Sequence, residues 1–140
     1  MKKFEFLEHT ADAKFIAYGK NLEEAFANAA LASFALMTDI SKINPIIEKK
    51  VEVNSKRKES LLYDFLESLI ILIDTEGFML GIVKELKITS SSKGFSLMAT
   101  LLGDNADSYD VHTYIKAVTY SDMFIKEEKN LVTVQVVHDI

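Results

Sequence analysis

The chain has 140 residues and 49% hydrophobic content, enough for one sizeable core, so residues 1–140 are expected to form a single domain. It has no cysteine, which excludes a disulfide framework, a thiolate metal centre and a cysteine nucleophile, and suits a reducing cytoplasm. A net charge of −5 argues against direct nucleic-acid contact, which depends on clustered Lys and Arg, and favours a partner protein with a basic surface.

Taken in chain order, the N-terminal run Met1 to Phe6 is charged, and Glu5 and Glu8 interrupt any apolar stretch, so no export signal is expected. Residues 3–7 alternate weakly, Glu8-His9-Thr10-Ala11-Asp12 breaks the pattern, and Lys14 to Tyr18 resumes it. The expectation is strand, functional loop, strand. Asn21 followed by Glu24 has the spacing of a capping box, which places a helix start there. Leu22, Phe26, Ala29, Ala30, Ser33, Phe34 and Met37 then recur at three- and four-residue steps, giving a helix over about 21–38 with one apolar stripe. Pro45 leads into a strand in which Ile47, Val51 and Val53 alternate with charged residues.

A second helix is expected over about 58–76, with Leu62, Phe65, Leu66, Leu69, Ile70 and Ile73 inward, Ser55 as a candidate cap and Gly77 closing it. Its apolar run Leu69 to Ile73 is far short of the roughly 20 residues that cross a bilayer. Beyond Gly77 the pattern turns to alternation, with strands expected at 83–88, 95–101, 113–120 and 131–138. Ser90 to Gly94 and Glu127 to Asn130 read as hairpin connections, and Gly103 to Asp110 as a long, polar, mobile loop. The whole predicts a two-layer α+β fold, with two helices packed on one face of a mixed or antiparallel sheet.

Three clusters carry candidate chemistry. In the first, His9 has the chemistry of a base or ligand and Asp12 that of a carboxylate ligand to a hard cation, although Thr10 and Asp12 equally suit a turn. In the second, if Ile140 is the native terminus, Asp139 and the α-carboxylate place several oxygen donors within one residue, a set suited to Ca²⁺, Mg²⁺ or Mn²⁺, against the ordinary reading of a solvated end. In the third, Lys116 and Tyr120 share one face of an expected strand, where they either line a site or cover apolar neighbours. Asp104, Asp107 and Asp110 lack the glycine and glutamate of an EF-hand loop, His112 reads as structural, and no phosphate loop, GxSxG or HExxH is present.

These segments together resemble the archease family. The resemblance rests on Glu8 to Asp12, Ala17-Tyr18-Gly19, Leu22 to Phe26, Ala29-Ala30-Leu31 and Met37-Thr38-Asp39. It continues through Leu61 to Leu66, Lys116 to Tyr120 and Val137 to Ile140, in order along nearly the whole chain. The chain departs from the family at Ser121, where a histidine often follows the tyrosine, and in the aspartate-rich stretch before Lys116.

The resemblance implies a cytoplasmic protein that is not itself an enzyme. It would activate the GTP-dependent RNA ligase of tRNA splicing by promoting guanylylation and repeated turnover. It also implies a divalent-cation site at Asp12 and Asp139, with main-chain oxygen from Ile140. His9, Lys116 and Tyr120 are expected to contact the partner or support the cation's ligands. Two other classes stand beside this one: a stand-alone metal-dependent hydrolase using His9, Asp12 and Asp139, and an RNA-binding module. The first lacks a nucleophile with an assigned base, and the second a basic-aromatic stripe.

Overall fold

The structure, a computed structural model, describes residues 2–8 and 12–140. Its elements are β1 (Phe4–Leu7), β2 (Ala13–Gly19), α1 (Leu22–Met37), β3 (Ile47–Ser55), α2 (Lys58–Glu76), β4 (Phe78–Ser91), β5 (Gly94–Asn105), β6 (Ala117–Val118), β7 (Phe124–Glu128) and β8 (Leu131–Asp139). Short 3₁₀ turns occupy Ile40–Lys42 and Ala106–Ser108. The chain therefore adopts the expected α+β class, with two helices and antiparallel strand pairing among the described residues.

The start of α1 follows from its first residues. The Asn21 side chain accepts from the Glu24 N–H at 2.8 Å, and the Glu24 carboxylate accepts from the Lys20 N–H at 3.1 Å, so two backbone donors at the helix entry are satisfied. Phe26, Ala29, Ala30, Phe34 and Met37 are all fully buried along one stripe, and the alanines let the helix approach the strands closely. The second helix begins differently. Arg57 occupies the cap position without a side-chain cap bond, because the Ser55 hydroxyl pairs with that of Ser60 instead. It ends at Gly77 in the left-handed region, φ 65°, whose N–H reaches the Ile73 carbonyl at 3.0 Å. Leu62, Phe65, Leu66 and Leu69 are fully buried on its inner side, each contributing about 1.5–3 kcal/mol relative to exposure.

The strands divide between two antiparallel sheets. One runs β1-β2-β8-β6, with β7 also paired to β8, and the other runs β3-β5-β4. Both helices touch strands of both sheets, which joins the two sheets over one core. In β3 the alternation of charged and apolar residues gives one half-buried and one exposed face, as the sequence predicts. At the β4–β5 hairpin, Gly94 has φ 123°, and a Cβ there would lie 2.5 Å from the Ser55 carbonyl, so only glycine fits.

Two expectations are corrected. The segment 113–120 is a strand only at Ala117–Val118, because the register that pairs Ala117 with Asp139 carries Thr113 to Ile115 past Asp139, where β8 ends. That leaves no ladder for Thr113 to Ile115. The stretch 103–110 is also more ordered than a long polar loop. Gly103–Asn105 ends β5, and the Tyr109 hydroxyl donates to Asp104 at 2.6 Å while accepting from the Asn44 N–H at 2.9 Å.

Candidate functional site at the ends of the central strands

The register of β2 against β8 pairs Ala13 with His138. Asp12 lies one residue before that pair and Asp139 one residue after it, so antiparallel pairing sets the two aspartates at neighbouring positions on one end of the sheet, although most of the chain separates them. On the other side of β8, Ala117 pairs with Asp139, and the Lys116 N–H donates to the Asp139 carbonyl at 2.7 Å. Asp139 thus lies at the strand end that Asp12 precedes on the β2 side and Lys116 precedes on the β6 side. Asp12 is partly buried, and Asp139, Ile140 and Lys116 are exposed. His9 lies outside the described residues.

Beneath this edge is a buried imidazole. His138 is fully buried, its ring 5.5 Å from that of Phe15, and its Nε2 lies 2.8 Å from the Ser33 hydroxyl of α1. Ser33 gives its single hydroxyl proton to the Ala29 carbonyl at 3.0 Å, so Nε2–H is the donor to Ser33 and Nδ1 carries the lone pair. That Nδ1 is buried with no hydrogen-bond partner among the described residues. Desolvation drives the His138 pKa down to about 4, so the ring is neutral at physiological pH. The Ser33–His138 bond ties the last strand to α1 one residue from Asp139.

Tyr120 stands just beyond β6. The residue is 50% exposed, and its ring stacks on Tyr63 of α2, with centroids 4.4 Å apart and planes at 11°. Burial and then the Asp64 carboxylate raise the Tyr120 pKa, and the Arg57 guanidinium opposes the rise, which places both charges near the ring. Lys116 and Tyr120 do not lie on one continuous strand. Tyr63 lies on α2 outside its buried stripe, and nothing in the sequence ties it to Tyr120.

Asp12, Asp139 and the Ile140 main chain offer only oxygen donors, which suits a hard cation such as Ca²⁺, Mg²⁺ or Mn²⁺ in kind. In number they fall short: among the described residues no three His, Asp or Glu side chains gather as a metal-holding group. Any cation at this edge would need ligands beyond these three groups.

An α+β domain with antiparallel strand pairing, with Asp12 and Asp139 flanking the Ala13–His138 pair at one end of β2 and β8, defines the class. The family follows from comparison with known proteins. A model of the archease protein family matches residues 4–140. The archease of Methanothermobacter thermautotrophicus is 42% identical over 141 residues, covering 100% of both chains. That of Aeropyrum pernix is 41% identical, covering 95% of this chain and 94% of its own. This chain belongs to the archease family. Among solved structures, a Methanobacterium thermoautotrophicum protein superposes with a TM-score of 0.86 at 40% identity over 100% of both chains. A Thermotoga maritima archease, described as a possible chaperone, has the same fold at a TM-score of 0.63 and 21% identity, covering 96% of this chain and 94% of its own.

Proposed function

We propose that this chain is a cytoplasmic accessory protein of a tRNA-splicing RNA ligase, promoting the ligase's guanylylation and repeated turnover rather than catalysing ligation itself. Membership of the archease family supports the reading, and the description of the Thermotoga relative as a possible chaperone agrees with action on a protein partner. The observation that supports the site is the Ala13–His138 register, since Asp12 precedes and Asp139 follows that pair.

In this reading Asp12, Asp139 and the Ile140 main-chain oxygen bind a divalent cation with positions left open to the partner. A hard cation there would supply positive charge to oxygen ligands from the ligase. The chain's own part is to hold the two carboxylates at a fixed spacing. The Lys116 N–H pins the Asp139 backbone, and His138 anchors the strand from beneath.

The experiment is multiple-turnover ligation by the ligase of the same organism, with and without this protein, using wild type and the Asp12→Ala, Asp139→Ala double variant. The double variant is expected to fold, since carboxylates at a sheet edge contribute little to the core, and to lose stimulation. Full stimulation by the folded double variant would refute the role given to the acidic pair, and no stimulation by wild type would refute the ligase reading.

A further inference from the structure

At the end of the three-stranded sheet, the β3–α2 connection and the β4–β5 hairpin enclose an open trough made of two adjoining hollows of about 390 and 720 Å³. Lys56 and Lys93 line both, and no carboxylate lines either among the described residues. The neutral groups are also set as donors. Ser91 Oγ already accepts from the Lys93 N–H at 3.1 Å, which leaves its hydroxyl proton free to donate outward. Asn54 Oδ1 accepts from the Ser96 hydroxyl at 2.5 Å, which turns the amide NH₂ away from that bond. Among the described residues Lys56, Arg57 and Lys93 make no ion pair, whereas the neighbouring Lys58 is held by Glu127 at 2.5 Å.

A trough that presents ammonium groups, a hydroxyl and an amide NH₂, with no acid, selects an anion with several oxygens. Cations supplied by two separate segments, Lys56 before α2 and Lys93 in the β4–β5 hairpin, suit a chain of such anions better than one ion. Arg57 follows Lys56 in the chain and its charge reaches Tyr120, a half-exposed residue whose ring is stacked on Tyr63 by one face. Cations in series beside an exposed aromatic face are the two components by which single strands are held without sequence preference: phosphates on the basic side, a base on the ring. An acidic peptide would use the cations but not the ring. Asp64 and Glu67 lie on the helix side of Tyr120 and would keep phosphates to the lysine side.

We propose that the trough and the open face of Tyr120 bind a short single-stranded nucleic-acid segment, with phosphates on Lys56, Arg57 and Lys93 and one base stacked on Tyr120. The net charge of −5 describes the average of the chain, and this end departs from it. A second basic groove, lined by Lys2, Lys3 and Lys20, includes the Glu24 carboxylate and, among the described residues, no aromatic ring, so it serves as a charge-matched control.

The test is fluorescence anisotropy of a labelled oligoadenylate RNA with the isolated protein, titrated from low salt upward. Lys56→Ser with Lys93→Ser should weaken binding about ten-fold and flatten the slope of log K against log salt by about 1.4, at about 0.7 for each phosphate no longer neutralised. Tyr120→Ala should weaken it by about five-fold or more, as expected for one stacked base. Lys3→Ser with Lys20→Ser, which removes equal charge, should change it less than two-fold. In wild type, bound RNA should protect Lys56 and Lys93 from acetylation while Lys20 stays reactive, a readout that does not depend on any variant folding. Equal weakening by the two lysine-pair variants, no measurable binding at low salt, or displacement by polyglutamate as effective as by unlabelled RNA would each overturn the proposal. No ligase or metal is present in the assay, so its failure would leave the ligase reading untouched.

Discussion

Acidification should loosen the fold chiefly at one residue, His138. Its folded pKa of about 4 lies below the unfolded value near 6.5, so between these limits the unfolded chain binds the proton and the folded chain does not. Stability from this source is complete above about pH 6.5, falls as pH drops, and changes no further below about pH 4. Carrying the proton linkage from neutral pH down to pH 5 gives a loss of about 2 kcal/mol, to be read as an order of magnitude. The comparison variant is His138→Leu, which cannot titrate and leaves the Ser33 hydroxyl still bonded to the Ala29 carbonyl. Urea unfolding followed by circular dichroism at several pH values should show wild type and variant within about 1 kcal/mol of each other at neutral pH. At pH 5 the variant should be ahead by about 2 kcal/mol. Surface carboxylates titrate alike in both, so the difference isolates the imidazole. Parallel stability curves would show that His138 is not held neutral by burial, and the tautomer and anchoring assigned to it would fall.

Leu69→Ala, which empties a fully buried site on α2, should cost about 2–5 kcal/mol in the same unfolding assay. Gly77→Ala should cost only about 1 kcal/mol, because the nearest atom to an added Cβ is Asn105 Oδ1 at 3.8 Å and the penalty comes from the left-handed backbone rather than from crowding. Thermal melts of the two variants side by side should keep that order.

What the sequence made legible was local. The Asn21–Glu24 spacing and the three- and four-residue apolar steps located both helices, and alternation located β3, β5 and β8, because those signals are produced by the element that carries them. What stayed hidden depended on pairing between distant segments. Thr113 to Tyr120 has strand composition, but the register to β8 carries the residues before Ala117 past Asp139, where that strand ends, and composition does not reveal register. The strand at Phe124–Glu128 was implied only by the hairpin-like turn that follows it. Ser55 looked like a cap, yet the Ser60 hydroxyl was an equally near partner. At the candidate site, Asp139 was conspicuous as chemistry. The buried Ser33–His138 bond beside it was not, since Ser33 reads simply as another small residue in a helix stripe.

The position of β8 has a consequence for how the protein comes into being. The strand sits between β2 and the β6–β7 edge, yet it is made late: His138 meets Ser33 only after 105 further positions have been added. At roughly 5–20 residues per second, a ribosome would leave the β1–β2 hairpin and the apolar face of α1 without their central neighbour for about 5–20 seconds. During that interval β2 offers an open strand edge to any other nascent chain. The five-stranded sheet therefore closes in one late, long-range step, and a cell that stalls translation within the last strand would accumulate a product with its largest sheet still unzipped.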